Sequence, residues 1–315
     1  MAGGSNLEKT MSNIKTQNSP KVLSQYKEEN EYTLYAGDCM RLAKKLPDNL
    51  IDLTITSPPY CIGKSYESTK DVDDFFKTHL EIFPEIVRLT KPGGSICWQV
   101  GYHVKNRRIT PLDYLLFDIA RSIPEIQLRN RIIWTYGHGL HENERFTGRH
   151  ETILWFTKGD EYQFDLDAVR VPQKYPGKKH YKGPQKGIYS GNPLGKNPSD
   201  VWEIPNVNAN HKEKTDHPCQ FPIGLAQRLI KALSLKNGLV FDPFAGSGTT
   251  GAAAAIEGRR FIGAEIDKNY CKIAKQRISH ALKGDLPFRE VDQPVLEPSL
   301  AGSVSKRPDH FKWIN

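Results

Sequence analysis

The stretch 241–250, FDPFAGSGTT, restricts the fold more than any other part of this 315-residue chain. A short apolar run ends there in an acid and a proline. A turn of small residues follows, and then an alanine-rich segment, 249–257, made of helix formers. Strand, small-residue turn and helix in that order make a ligand crevice at the carboxyl edge of an open α/β sheet. The turn has no P-loop lysine, and a short GxG alone is equally well a plain tight turn. A second strand about twenty residues on, FIGAEID, ends in Glu265, where an acid can accept hydrogen bonds from ribose hydroxyls. The pair points to a nucleoside cofactor.

Upstream, strands and helices alternate. YTLYAG (32–37) reads as a strand ending at Asp38, with a helix over 39–46. A second strand, 52–56, runs into Ser57-Pro58-Pro59-Tyr60, where two prolines end ladder pairing. A helix over 75–89 shows apolar residues at helical spacing, and KPGG (91–94) is a turn into a strand at 95–100. A helix at 110–122, strands at 130–135 and 151–157 and a helix at 221–235 follow. The strands at 238–242 and 260–264 and a helix at 269–282 complete the pattern. It predicts a doubly wound, mostly parallel α/β sheet. The expected divisions are a polar lead (1–31, with 1–10 a possible appended leader) and a first half of the catalytic domain (32–160). A basic region (161–215), a second half (216–283) and a polar tail (284–315) follow.

Forty-four basic against thirty-six acidic residues leave a formal charge of +8, which suits a polyanionic partner. Between 174 and 196 there are six lysines and no acid, interleaved with Tyr175, Tyr181 and Tyr189. Lysines meet phosphates and rings meet bases, so Lys174, Lys178, Lys179, Lys182 and Lys186 are candidate DNA contacts. A solvated face accounts for a lysine run equally well on charge alone. Arg145 and Arg149, in the loop that begins HGLHENERF at 138, are further phosphate candidates. His138 and His141 in that loop lack a partnering Cys or Asp set, and no metal is expected. Five cysteines without a CxxC pair indicate neither a disulfide framework nor zinc, and fit a reducing compartment. No apolar run approaches the ~20 residues of a membrane span, and the N-terminus lacks a signal-peptide pattern. The expected location is the cytoplasm, away from membranes.

SPPY at the end of a strand offers specific chemistry. The prolines fix the direction of the Pro58 carbonyl, and the Ser57 hydroxyl beside it is a second acceptor. Two such acceptors can take both hydrogens of an exocyclic amino group and aim its lone pair at an electrophile. Tyr60 supplies a face for stacking an extruded base. A turn that merely ends a strand is the competing reading of SPPY alone.

With SPPY upstream of FDPFAGSGTT, the chain resembles the β-class amino-directed DNA methyltransferases of restriction–modification systems, over roughly 32–280. The resemblance implies a circularly permuted S-adenosylmethionine-dependent sheet, with the basic region in the place of target recognition. By the same match, Ser57, Pro58, Pro59 and Tyr60 are catalytic. Asp242, Phe244, Gly246, Ser247, Gly248 and Thr249 belong to the loop around the cofactor, and Glu265 matches the acid on its ribose. Asp38 lies at the edge of the adenine pocket, and Ser57 also borders the cofactor. His217, Pro218 and Phe221 fall in the segment over the methionine end, where the family more usually has Lys before the proline.

The implied substrate is double-stranded DNA with the target base flipped out. The implied enzyme is a monomer or homodimer, either solitary or paired with a restriction endonuclease. Ser before Pro-Pro leans in this family toward N4 of cytosine. The continuation CIGKSYE (61–67) resembles adenine-modifying members, and the balance leans to N6 of adenine, with N4 of cytosine the close alternative. An RNA or protein amine methyltransferase is the remote one. Pro218-Cys219-Gln220 resembles the nucleophile motif of cytosine carbon-5 enzymes, but it precedes the cofactor loop rather than following it.

Overall fold

A computed structural model describes residues 20–61, 71–137, 139, 141–208 and 210–291. The possible leader at 1–10, residues 62–67 after SPPY, His138 and the tail beyond 291 lie outside the described residues. The elements in chain order are β1 (Val22–Leu23), β2 (Tyr32–Ala36), α1 (Cys39–Ala43), β3 (Ile51–Thr56), α2 (Val72–Leu89) and β4 (Thr90–Val100). Next come β5 (Tyr102–Lys105), β6 (Arg108–Pro111), α3 (Leu112–Ala120), β7 (Ile126–Thr135), β8 (His150–Lys158) and β9 (Val201–Glu203). The chain continues through α4 (Ile223–Leu233), β10 (Leu239–Asp242), α5 (Thr249–Ile256), β11 (Arg260–Glu265) and α6 (Lys268–Lys283).

Nine strands form one sheet in the order β1-β2-β11-β10-β3-β4-β8-β7-β9, and β5 pairs with β6 in a separate hairpin. Every pairing in the large sheet is parallel except the two made by β8. The last two strands of the chain are thus inserted between its early ones, as the permuted order requires. Gly37 N donates to Glu265 O at 2.8 Å, so the ends of β2 and β11 touch.

Alternation along the strands sorts their apolar residues onto two faces. Leu239 and Phe241 pack with α1, α2 and α3 on one side, and Val240 packs with α4, α5 and α6 on the other. In β3, Ile51 joins the first cluster while Leu53 and Ile55 join the second. Within the first cluster Trp98 is fully buried, and its indole Nε1 donates to His79 Nε2 at 3.2 Å.

Several expectations shift. The KPGG segment lies within β4 as an irregularity: Ile51 pairs with Thr90, but Leu53 pairs with Ser95. Gly93 takes φ +79° there, a left-handed conformation that glycine adopts without penalty. The helix expected over 39–46 ends at Ala43. The edge strand β1 lies within the expected polar lead, and β9 within the basic region. Leu286, Phe288 and Val291, at the start of the expected polar tail, pack against the α4–α6 core.

Candidate active site

The crevice forms where β10 and β3 lie side by side and the chain leaves them in opposite directions. After β10 it passes through α5 to β11, and after β3 through α2 to β4, on opposite faces of the sheet. Such a switch point leaves the carboxyl ends of adjacent strands uncovered. Asp38, Glu265, Asp242 and Ser57 all fall at those ends, on four neighbouring strands.

Asp242 is 1% exposed, and its carboxylate works inside the loop. Oδ1 accepts from Thr56 Oγ1 at 2.6 Å and from Phe244 N at 3.1 Å. Burial pushes its pKa up to about 6, against the pull of these donors. The aspartate therefore ties the end of β10 to the end of β3. Glu265 clasps the loop from the other side, with Oε2 accepting Gly246 N and Oε1 accepting Asp267 N, both at 2.8 Å. A carboxylate has about four lone-pair positions, so these bonds leave acceptor capacity for ribose hydroxyls. Burial raises its pKa as well. Asp38 caps α1, its Oδ1 accepting Arg41 N at 3.0 Å.

Between these acids the chain turns through two left-handed glycines. Gly246 and Gly248 have φ of +51° and +77°. A Cβ on Gly248 would lie 2.7 Å from Ala274 Cβ, and one on Gly246 would lie 3.1 Å from His217 Nε2. Thr249 Oγ1 donates to Phe221 O at 3.3 Å, and the His217 ring meets Tyr270 edge-on at 4.5 Å. The 217–221 segment and the glycine loop are thus in contact. His217 Nδ1 accepts from Cys219 N at 3.3 Å, and burial lowers its pKa to about 4, so the ring is neutral.

Across the crevice, Ser57 Oγ lies 3.4 Å from the Tyr60 hydroxyl. The Tyr60 hydroxyl donates to Glu151 Oε2 at 3.1 Å and accepts from Gln99 Nε2 at 2.9 Å. Gln99 Nε2 also donates to Glu151 Oε2. Glu151 keeps part of its residue surface open, but its carboxyl is packed among protein groups, and that burial raises its pKa to about 7.

Residues 51–276 match the family described as DNA methylase, its N6- and N4-directed group. The chain belongs to this family. It is 48% identical over 259 residues to the type II methyltransferase M.BglII of Bacillus subtilis, covering 82% of this chain and 72% of that one. It is 33% identical over 287 residues to the DNA adenine methyltransferase YhdJ of Escherichia coli (strain K12), covering 87% and 90%. A DNA modification methylase of Thermus thermophilus, solved in complex with S-adenosyl-L-methionine, superimposes with a TM-score of 0.57 at 27% identity, over 80% of this chain and 96% of that one. As a DNA methylase, this chain is a site-specific DNA methyltransferase that uses S-adenosylmethionine. The turn at Gly246 and Gly248, flanked by acids at two adjacent strand ends, fits that cofactor. When bound, it supplies a methyl group on a positively charged sulfur, an electrophile open to a lone pair.

The structure brings Ser57 and Tyr60 together with the glycine loop at one edge of the sheet, with His217 and Phe221 against that loop. The DNA candidates are more scattered. Lys174, Lys178, Lys179, Lys182 and Lys186 are exposed on the loop between β8 and β9, with Lys174 over the Tyr175 ring and Lys179 over Tyr189. Arg145 pairs with Glu142 at 2.5 Å, and Arg149 donates to the carbonyls of Gly148 and Gly139.

Three residues of the site carry no sequence signal. Glu151 stands at the start of an apolar strand, where an acid reads as a boundary, and Gln99 is one polar position in β4. Arg277 lies on α6 yet is 6% exposed. Its Nη1 donates to Ser247 O at 2.8 Å, and to Ser247 Oγ and Thr249 Oγ1 at 3.1 Å each.

Proposed function

We propose that this methyltransferase modifies N4 of a cytosine flipped out of duplex DNA, with Ser57 and the Pro58 carbonyl accepting the two amino hydrogens. The observation that carries the base is Ser57 itself, a neutral hydroxyl at the end of β3 and beside Tyr60. Two sequence signals point in opposite directions. Ser57 before Pro-Pro favours N4 of cytosine, whereas the continuation CIGKSYE at 61–67 resembles adenine-modifying members. YhdJ is named as an adenine enzyme, so N6 of adenine stays the alternative acceptor within the same chemistry.

Catalysis rests on position. A base inside the duplex cannot present its amino group in line with a methyl donor, so it must leave the stack. The two acceptors then favour the more tetrahedral nitrogen that develops during transfer. Asp242, Glu265, Asp38 and the 246–249 turn hold the donor, and His217, Pro218 and Phe221 cover it. Lys174, Lys178, Lys179, Lys182 and Lys186 meet DNA phosphates, with Arg145 and Arg149 as further phosphate contacts. Among the described residues no helix is long and apolar enough to cross a membrane. A cytoplasmic enzyme, acting alone or beside a restriction endonuclease, fits this reading.

Mass spectrometry of nucleosides from DNA modified by the protein tests the base directly. N4-methyldeoxycytidine is expected. N6-methyldeoxyadenosine would overturn the base, and label appearing in RNA or protein instead of DNA would overturn the substrate.

A further inference from the structure

The hydrogen bonds around Tyr60 have a direction. A phenol carries one hydrogen. With Glu151 ionised, the Tyr60 hydrogen goes to Glu151 Oε2, and the phenol oxygen accepts from Gln99 Nε2. The 3.4 Å contact with Ser57 can then run only one way, with Ser57 donating and Tyr60 accepting. That choice turns the Ser57 hydrogen toward Tyr60 and leaves both lone pairs of Oγ available as acceptors. An amino group offers hydrogens, so this is the orientation the reaction needs.

We propose that Glu151 is a positioning residue for methyl transfer: as a carboxylate it draws the Tyr60 hydrogen, fixes the direction of the Glu151–Tyr60–Ser57 chain and thereby makes Ser57 an acceptor. The proposal rests on the reading of Ser57 given above. A protonated Glu151 reverses the chain. Its own hydrogen then goes to Tyr60, Tyr60 donates to Ser57, and the Ser57 hydrogen is aimed outward, where it meets the amino hydrogens donor to donor. The carboxyl is enclosed by Tyr60 from the turn after β3 and by Gln99 from β4. Tyr136, after β7, feels the charges of Glu151 and Arg149 and lies near Tyr102, while Cys219 lies near Tyr60. Burial holds the Glu151 pKa near 7, so both directions are populated around neutrality. The residue is therefore a proton-controlled switch on the polarity of the pocket, acting through Tyr60 without touching the base.

Single-turnover methyl transfer at saturating DNA and cofactor, followed from pH 6 to pH 9, tests this. The wild-type rate is expected to rise about tenfold through pH 7 as the carboxylate forms, the slope of a single deprotonation. Glu151→Gln cannot titrate, so its profile is flat and lies below the wild-type plateau, while Glu151→Asp restores the rise. Tyr60→Phe breaks the chain at its middle and also gives a flat, lowered profile. Cofactor affinity stays within about twofold in all three, since none of these bonds reaches the loop at 246–249. An acid limb that persists in Glu151→Gln, or an unaltered rate in Tyr60→Phe, overturns the proposal. Wild-type protein that places no methyl on an amino group of DNA would instead remove the reading of Ser57 beneath it.

Discussion

Asp242 shows how much a motif residue can do beyond its motif. Besides its proposed place around the donor, its Oδ1 accepts from Thr56 Oγ1 and Phe244 N. It thereby ties together two strands from distant parts of the chain. The sequence does not reveal that its carboxylate faces Thr56, because Thr56 lies 186 positions away. Arg277 is a similar case from the opposite end of the site. Replacing it with Met should loosen the turn at Ser247 and weaken cofactor binding about tenfold, a loss of about 1–2 kcal/mol in charge-assisted hydrogen bonding, measured by calorimetry. Unchanged affinity would mean the turn holds without it. Gly248→Ala should destabilise the fold by about 1–3 kcal/mol in urea unfolding, because the new methyl meets Ala274 Cβ at 2.7 Å in a left-handed backbone.

Protonation adds a third prediction at this scale. Glu151 has a folded pKa of about 7, above that of a carboxyl in an unfolded chain. It binds its proton more tightly when folded, so its contribution is fully present below about pH 4.5 and is lost as pH rises through about 7. His79 acts in the opposite sense. It is held neutral between Phe75 O and the Trp98 indole, and its pKa falls to about 4, so its contribution is lost as pH drops from about 6.5 through about 4. The two oppose each other in the whole-chain profile. The difference between Glu151→Gln and wild type isolates one of them, and it should move in favour of Gln by about 1–3 kcal/mol between pH 5 and pH 8. A pH-independent difference would contradict the buried carboxyl.

Among the elements, those with a strong period were readable and those fixed by neighbours were not. The apolar run of β10 and the helical spacing of α2 carry their own evidence, and both lie where the sequence places them. β9 has three residues, and it is a strand because Val201, Trp202 and Glu203 pair with Ile133, Trp134 and Thr135. The hairpin of β5 and β6 turns at Asn106 and Arg107, both with positive φ, a conformation that Arg gives no reason to expect. β9 also changes how the basic region is understood. Its lysines lie on a loop fastened to the sheet, which presents them from a fixed base instead of a free lobe. Replacing Lys174, Lys178, Lys179, Lys182 and Lys186 with Ala should reduce the salt dependence of DNA binding by a slope of up to about 4.5, with cofactor affinity unchanged. An unaltered slope in filter binding would make that face simply solvated.

At the scale of the molecule, the permuted strand order makes the site a joint product of both ends of the chain. Ser57 and Tyr60 come from the first half, Asp242, Glu265 and the glycine turn from the second, and the pairing of β3 with β10 brings them together. Motif order and spacing made this arrangement legible, because strand-end motifs in an open parallel sheet meet at one edge. The Glu151–Gln99 contacts were not legible, since they depend on β4 and β8 pairing antiparallel, with Gln99 opposite Ile153. On the proposed reading the labour divides between the two halves: the loop holds the donor, and Ser57 presents the acceptor. Single-turnover methyl transfer by Ser57→Ala at saturating S-adenosylmethionine tests that division most directly. The rate should fall by about 100-fold or more, the scale of losing one transition-state hydrogen bond, while cofactor affinity stays within about twofold of wild type. A near-wild-type rate, or an equal loss of cofactor binding, would contradict it.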